Sequence, residues 1–259
     1  MIRALSTAAT GLKAQQSNID IVANNLANVN TAGYKKVRAE FKDLAYEMIK
    51  NQNSGESNFS EKVEVGLGTE LSGTFRVFSQ GSFIQTSNTL DMAIDGEGFF
   101  KVRDFDGSLK YTRDGSFKID AEGRIVSSSG RVLEPEIVIP QGAREISISQ
   151  NGVVSAVLNG ESSPVEIGRI EISLFPNPSG LKALGSNLYE ISSASGQPID
   201  SSPLLNGAGA IKQGFLEGSN VEVVDEMVRM ISAQRAFEIN SKAMEAADDM
   251  LRTINGIRI

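Results

Sequence analysis

The sequence predicts an α+β, multi-domain chain, with N- and C-terminal helices paired as a coiled-coil-like domain and an all-β domain inserted between them. Three observations carry this expectation. Heptad rows of apolar residues run along both ends, and tight-turn dipeptides recur through the middle. The composition is globular, 40% hydrophobic and 22% charged over 259 residues.

At the N-terminus, Leu5, Leu12, Ile19 and Leu26 repeat every seven residues. Ala8, Gln15, Val22 and Val29 follow three positions later, with Gln15 the polar exception. This is the a/d seam of a coiled coil, although the same stripe suits an amphipathic helix packed on its own domain. Amides at Gln16, Asn18, Asn24, Asn25 and Asn28 occupy outward positions. The helix is expected to stop near Thr31-Ala32-Gly33, with Gly33 as a left-handed cap.

The C-terminus repeats the pattern. Val223, Met230, Phe237, Met244 and Leu251 keep the spacing of seven, and Ala233, Asn240, Ala247 and Ile254 form the companion row. The flanking row begins apolar at Met227 and turns polar at Gln234 and Ser241, so the stripe is narrow. Ser219-Asn220-Val221-Glu222 has the form of a capping box. No Gly or Pro interrupts the run to Asn255, which gives a helix of roughly 50 Å. So long a helix needs a partner of similar length, and the first helix is the candidate. Residues 1–40 hold five basic and two acidic groups, whereas 215–259 hold five and eight, and opposite signs favour adjacency.

These ends define a terminal domain of residues 1–36 with 218–259, a connecting arm over 37–77 and a β domain over 78–217. The polar stretch 51–58 and Gly66-Leu67-Gly68 mark the arm as extended or as a small ribbon. In the β domain, turn signals recur at Asp95-Gly96, Asp106-Gly107, Asp114-Gly115, Glu122-Gly123, Ser129-Gly130, Asn151-Gly152 and Asn159-Gly160. Alternating strands such as Ile146–Ser149 and Ile170–Leu174 lie between them, which suggests a sandwich or barrel-like fold.

The chemistry available is narrow. The chain has no His, no Cys and no Trp, so it lacks the commonest general base, any zinc-thiolate site and any Ser-His-Asp triad. Twenty-five basic against 32 acidic residues give a net charge of −7, which argues against nucleic acid as a partner. Loops starting at Asp104 and Asp114 resemble calcium loops only at their start, because position twelve is Gly115 or Ile125 instead of Glu. Asp91, Asp95 and Glu97 are the densest carboxylates of the β region, and a secreted carbohydrate-active protein is the alternative they support. Asp is also a habitual turn residue. The basic Lys35-Lys36-Val37-Arg38 reads as a solvated helix-end cluster. No catalytic, cofactor-binding or metal-binding residue is expected, and no cofactor. Ala- and Met-containing seams that other copies cover would build a helical filament if the contact does not close on itself.

Specific motifs sharpen this picture. Ala23-Asn24-Asn25-Leu26-Ala27-Asn28-Val29-Asn30-Thr31-Ala32-Gly33-Tyr34-Lys35 resembles the N-terminal signature of bacterial flagellar rod and hook proteins. Leu90–Phe100 with Tyr111–Phe117, the segments Asn177–Leu181 and Gly185–Tyr189, and Gln213–Val221 with Met230–Lys242 are similar to further family segments, in order. A hook protein would carry an additional outer domain, so the length suits a rod member; a proximal rod or hook-type subunit is the family alternative. The resemblance implies a structural subunit that stacks helically into a hollow axial tube, with terminal helices inside and the β domain outside. It also implies export unfolded through the flagellar type III apparatus, without a cleaved signal, to the periplasmic rod of the basal body. The partners implied are other copies of the chain, proximal rod proteins, the hook protein and surrounding ring proteins. The arm is associated in the family with straightness and stiffness. Assembly contacts are expected at Leu5, Leu12, Ile19, Asn24, Asn25, Leu26, Asn28, Thr31, Gly33 and Tyr34, and at Met230, Phe237, Met244 and Leu251.

Overall fold

Two long helices bracket a β-rich middle. The computed structural model describes residues 2–49, 63–159 and 163–256, and these fall in two compact units. One comprises residues 1–27, 37–75 and 222–259; the other comprises 28–36 and 76–221. The polar stretch 51–58 lies outside the described residues, as does Gly160 of the last expected turn.

In the helical unit, helix α1 spans Ile2–Ala27 and helix α2 spans Val223–Gly256. They lie against one another, antiparallel. A Cβ at Gly11 would meet Asn240 Nδ2 at 3.0 Å, and Asn25 Nδ2 donates to Glu226 Oε2 at 3.1 Å. Carrying that register three residues along each helix sets Ala14 level with Phe237, a small residue against a large one. Gly11 costs the helix about 1 kcal/mol relative to alanine, and the close approach of Asn240 accounts for it. Two ribbons belong to this unit: Val37–Asp43 pairs with Thr69–Arg76, whose last residue falls in the other unit, and Tyr46–Ile49 pairs antiparallel with Val63–Gly66.

The two helix-end expectations are displaced. Helix α1 ends at Ala27, and residues 28–33 form successive turns, so Gly33 does not cap it. Helix α2 begins at Val223, and Ser219 Oγ accepts from the Val221 amide at 3.3 Å instead of from Glu222. The intervening Asn220 explains the delay. Its side chain accepts from the Lys36 amide at 2.8 Å and donates to the Val77 carbonyl at 2.8 Å, which fixes the backbone before it can turn helical.

The β-rich unit is built on a nine-stranded sheet, with a three-stranded sheet and two two-stranded sheets among its described residues. Its central strand, Phe99–Arg103, pairs antiparallel with Leu109–Thr112, Val132–Glu134 and Ile172–Leu174. Side chains alternate across a strand. Phe100 therefore enters one core with Met92, Phe117, Ile125 and Ile211, while Phe99 joins Tyr111, Phe175 and Tyr189 in a second. Aromatic rings in the second core meet edge to face, with centroids 4.8 Å apart for Tyr111 and Phe175. Burying both faces of this strand makes the sheet the rigid element of the unit. The Asp carboxylates of the turns are used locally. Asp106 Oδ1 accepts from the Ser108 amide at 2.8 Å, and Asp114 Oδ1 accepts from the Ser116 amide at 3.0 Å.

Candidate assembly interface

The seam residues have one property in common. Leu5, Leu12, Ile19 and Leu26 on α1 are all half-buried, and so are Met230, Phe237, Met244 and Leu251 on α2. Full burial within α1 and α2 goes mainly to smaller residues: Ala8, Ala14, Val22, Ala233 and Ala247. The small residues bring the helices close, and one chain covers the large ones only in part.

The outer face of α2 is apolar as well. Val224, Met227, Val228, Ile231 and Ile239 are 72, 50, 57, 50 and 66% exposed. At 100° per residue these five fall within roughly a third of a turn, opposite Glu226 and Ala233, which are buried. A helix apolar on both sides is one that expects burial on both sides. The narrow-stripe reading of α2 named Met227 and missed the other four. The signal was present in Val223–Ile231, where Val223, Val224, Met227, Val228, Met230 and Ile231 spread over nearly half of the helix circumference, wider than a seam. The same unit carries a groove of about 440 Å³ lined by Thr10, Lys13, Ala14 and Ser17 of α1 and by Leu44, Thr69, Glu70 and Leu71 of the ribbon.

The amides and their neighbours divide between roles. Asn24 is exposed on α1. Asn25 is 2% exposed and clamps its own chain: its Oδ1 accepts from the Val37 amide at 2.9 Å and its Nδ2 donates to the Val37 carbonyl at 2.9 Å. The same Nδ2 reaches Glu226, so one amide joins α1, the first ribbon strand and α2. In the β-rich unit, Thr31 Oγ1 donates to Asn28 Oδ1 at 3.2 Å, and both residues are half-buried. Tyr34 is buried, and the Arg76 guanidinium lies 5.7 Å from its ring centroid. Gly33 adopts φ +69°, and a Cβ there would lie 2.6 Å from the Asp114 amide nitrogen, so only glycine fits both the conformation and the contact.

Lys35 corrects the expectation of a solvated basic cluster. It is fully buried, with Nζ 2.5 Å from Glu217 Oε1 and 2.8 Å from the Ser79 carbonyl. A carboxylate buried alongside it supplies the counter-charge that water would otherwise provide. Burial pushes the Lys35 ammonium below its ordinary range, while the carboxylate of Glu217 opposes that fall. Arg113 shares the pocket, with NH1 3.3 Å from Glu217 Oε2, and burial lowers its guanidinium likewise.

Two of the three carboxylates of the alternative reading are also committed. Asp91 Oδ1 accepts from Asn88 Nδ2 at 2.8 Å, and Asp95 pairs with Lys212 at 2.6 Å. Glu97 is held through its backbone, whose carbonyl accepts from the Gly209 amide at 2.8 Å.

Comparison with known proteins agrees with this architecture along the chain. Residues 5–35 match the family described as flagella basal body rod protein. Residues 93–156 match the flagellar hook protein FlgE/F/G D1 domain, and residues 212–257 match the flagellar basal body rod FlgEFG protein C-terminal region. The flagellar basal-body rod protein FlgG of Borreliella burgdorferi is 46% identical, over 100% of this chain and 99% of its own length. FlgG of Caulobacter vibrioides is 40% identical over 99% of this chain and 100% of its own. FlgG of Bacillus subtilis is 39% identical over the whole of both chains. The chain therefore belongs to the flagellar basal-body rod protein family, as a structural subunit of the rod resembling its distal member, and is not an enzyme.

Proposed function

We propose that this chain is a distal rod subunit that self-assembles helically into a hollow axial shaft. The shaft transmits torque and gives passage to exported protein. The observation that carries the reading is the apolar outer face of α2, from Val224 to Ile239, which a single chain leaves exposed while its seam stays half-covered. Helices α1 and α2 act as a coiled-coil-like pair whose uncovered flanks are met by neighbouring copies. The α2 stripe and the groove between α1 and the ribbon are different surfaces. A contact between different surfaces is head-to-tail, and it generates a filament when its rotation does not close. Residues 1–36 with 218–259 form the inner tube in this reading, 37–77 the arm and 78–217 the outer wall.

The assembly contacts are the seam leucines, isoleucine, methionines and phenylalanine, with Asn24, Asn25, Asn28, Thr31, Gly33 and Tyr34 fixing the end of α1 and the turn beyond it. The partners are further copies, proximal rod proteins, the hook protein, the surrounding rings and the type III export apparatus. The location is the periplasmic rod, reached without a cleaved signal. Sedimentation of the purified chain under polymerising conditions tests the reading. Val228→Asp should leave the β-rich unit folded and the protein in the supernatant, since desolvating an unpaired carboxylate costs on the order of several kcal/mol. Normal polymer from that variant would remove the α2 face from the interface.

A further inference from the structure

Glu217 sits six residues before α2 begins at Val223, and it gathers three distant segments of the β-rich unit. Its side chain is 0% exposed. Oε1 accepts from Lys35 Nζ at 2.5 Å and from the Gly81 amide at 3.1 Å, and Oε2 accepts from Arg113 NH1 at 3.3 Å. Its carbonyl accepts from the Gly33 amide at 2.7 Å. Three residues on, Asn220 makes a second tie, to the Lys36 amide at 2.8 Å. Residues 33–36 follow α1 in the chain, and 217–220 precede α2.

We propose that Glu217 is a positioning residue for assembly: it pins the segment leaving α1 to the segment entering α2, so that both depart from the β-rich unit at one place. The inference rests on the self-assembly reading above. Buried ion pairs stabilise a fold poorly compared with apolar packing, but they enforce one arrangement, since any other leaves a charge buried without its partner. The cluster is stringent in that sense. It holds two cations against one carboxylate, and Arg113 Nε has no hydrogen-bond partner among the described residues. Losing Glu217 sets two like charges against each other in a dry site. The two segments are then no longer held together, although both apolar cores remain. Ordering residues 33–36 and 217–220 is then left to polymerisation, which raises the concentration needed to polymerise.

The experiment uses the full chain with Glu217→Gln and, separately, Asn220→Ala. Amide exchange is read at Gly33, at Lys36 and at the core strands, together with the critical concentration for polymerisation. The expected result for Glu217→Gln is at least tenfold faster exchange at Gly33, unchanged exchange at Phe100 and Ile172, and a critical concentration raised at least tenfold. Asn220→Ala should do the same through Lys36, without touching a buried charge, and it decides the matter if Glu217→Gln loosens the core. A critical concentration equal to that of the natural chain, in a variant whose Gly33 or Lys36 exchange has risen, overturns the positioning role. Failure of the natural chain to polymerise at all is a different result, which contradicts the assembly reading itself.

Discussion

Lys35 shows how one residue changes meaning between sequence and structure. Within Lys35-Lys36-Val37-Arg38 nothing distinguishes it from a solvated lysine, because its counter-ion lies 182 positions away. Gly33 was legible as a left-handed glycine but not as a packing glycine, since its second reason to exist is the backbone of Arg113 and Asp114. Gly33→Ala should therefore destabilise the β-rich unit by more than about 1 kcal/mol, measured by urea unfolding. A second residue-scale effect depends on pH. The hydrogen bond from Lys110, with that ammonium's charge, holds the Glu190 carboxyl below its ordinary value of 4.5. The folded state thus takes up this proton less readily than the unfolded chain. Its contribution is present above about pH 4.5 and is lost as pH falls toward the lower folded value. Thermal unfolding between pH 6 and 3 should show the decline, and Glu190→Gln should make the profile flatter.

Period and turn chemistry made the elements readable. Rows spaced by seven located α1 and α2, and Asp106-Gly107 and Asn151-Gly152 located hairpins of the β-rich unit, whereas the strands flanking Asp95-Gly96 and Asp114-Gly115 pair elsewhere. The limits of the helices were not readable, because Asn220 and the turn at 28–33 are fixed by partners elsewhere in the chain. A heptad count also rewards one face of a helix, so the second face of α2 escaped notice. Two substitutions separate assembly from folding. Leu26→Asp, on the half-buried seam, should block polymerisation and leave the β-rich unit intact, with near-ultraviolet circular dichroism reporting that fold. Phe117→Ala should do the reverse at the level of folding. Phe117 is fully buried, its ring centroid is 5.3 Å from that of Phe100, and its removal should cost about 3–5 kcal/mol in urea unfolding.

For the whole molecule, the absence of His and Cys and the engagement of Asp91 and Asp95 in a hydrogen bond and an ion pair leave packing as the chain's chemistry. The motifs read in the sequence ran in the same order as the family matches, at residues 5–35, 93–156 and 212–257. What the sequence could not carry is the geometry of contact between copies, which depends on surfaces that no single chain completes. Cryo-electron microscopy of the polymerised chain tests this most directly. The account predicts a hollow helical tube in which Val224, Val228 and Ile231 of each copy are buried against a neighbour. A closed ring, a solid fibre, or a tube in which that face of α2 stays open to solvent would contradict it.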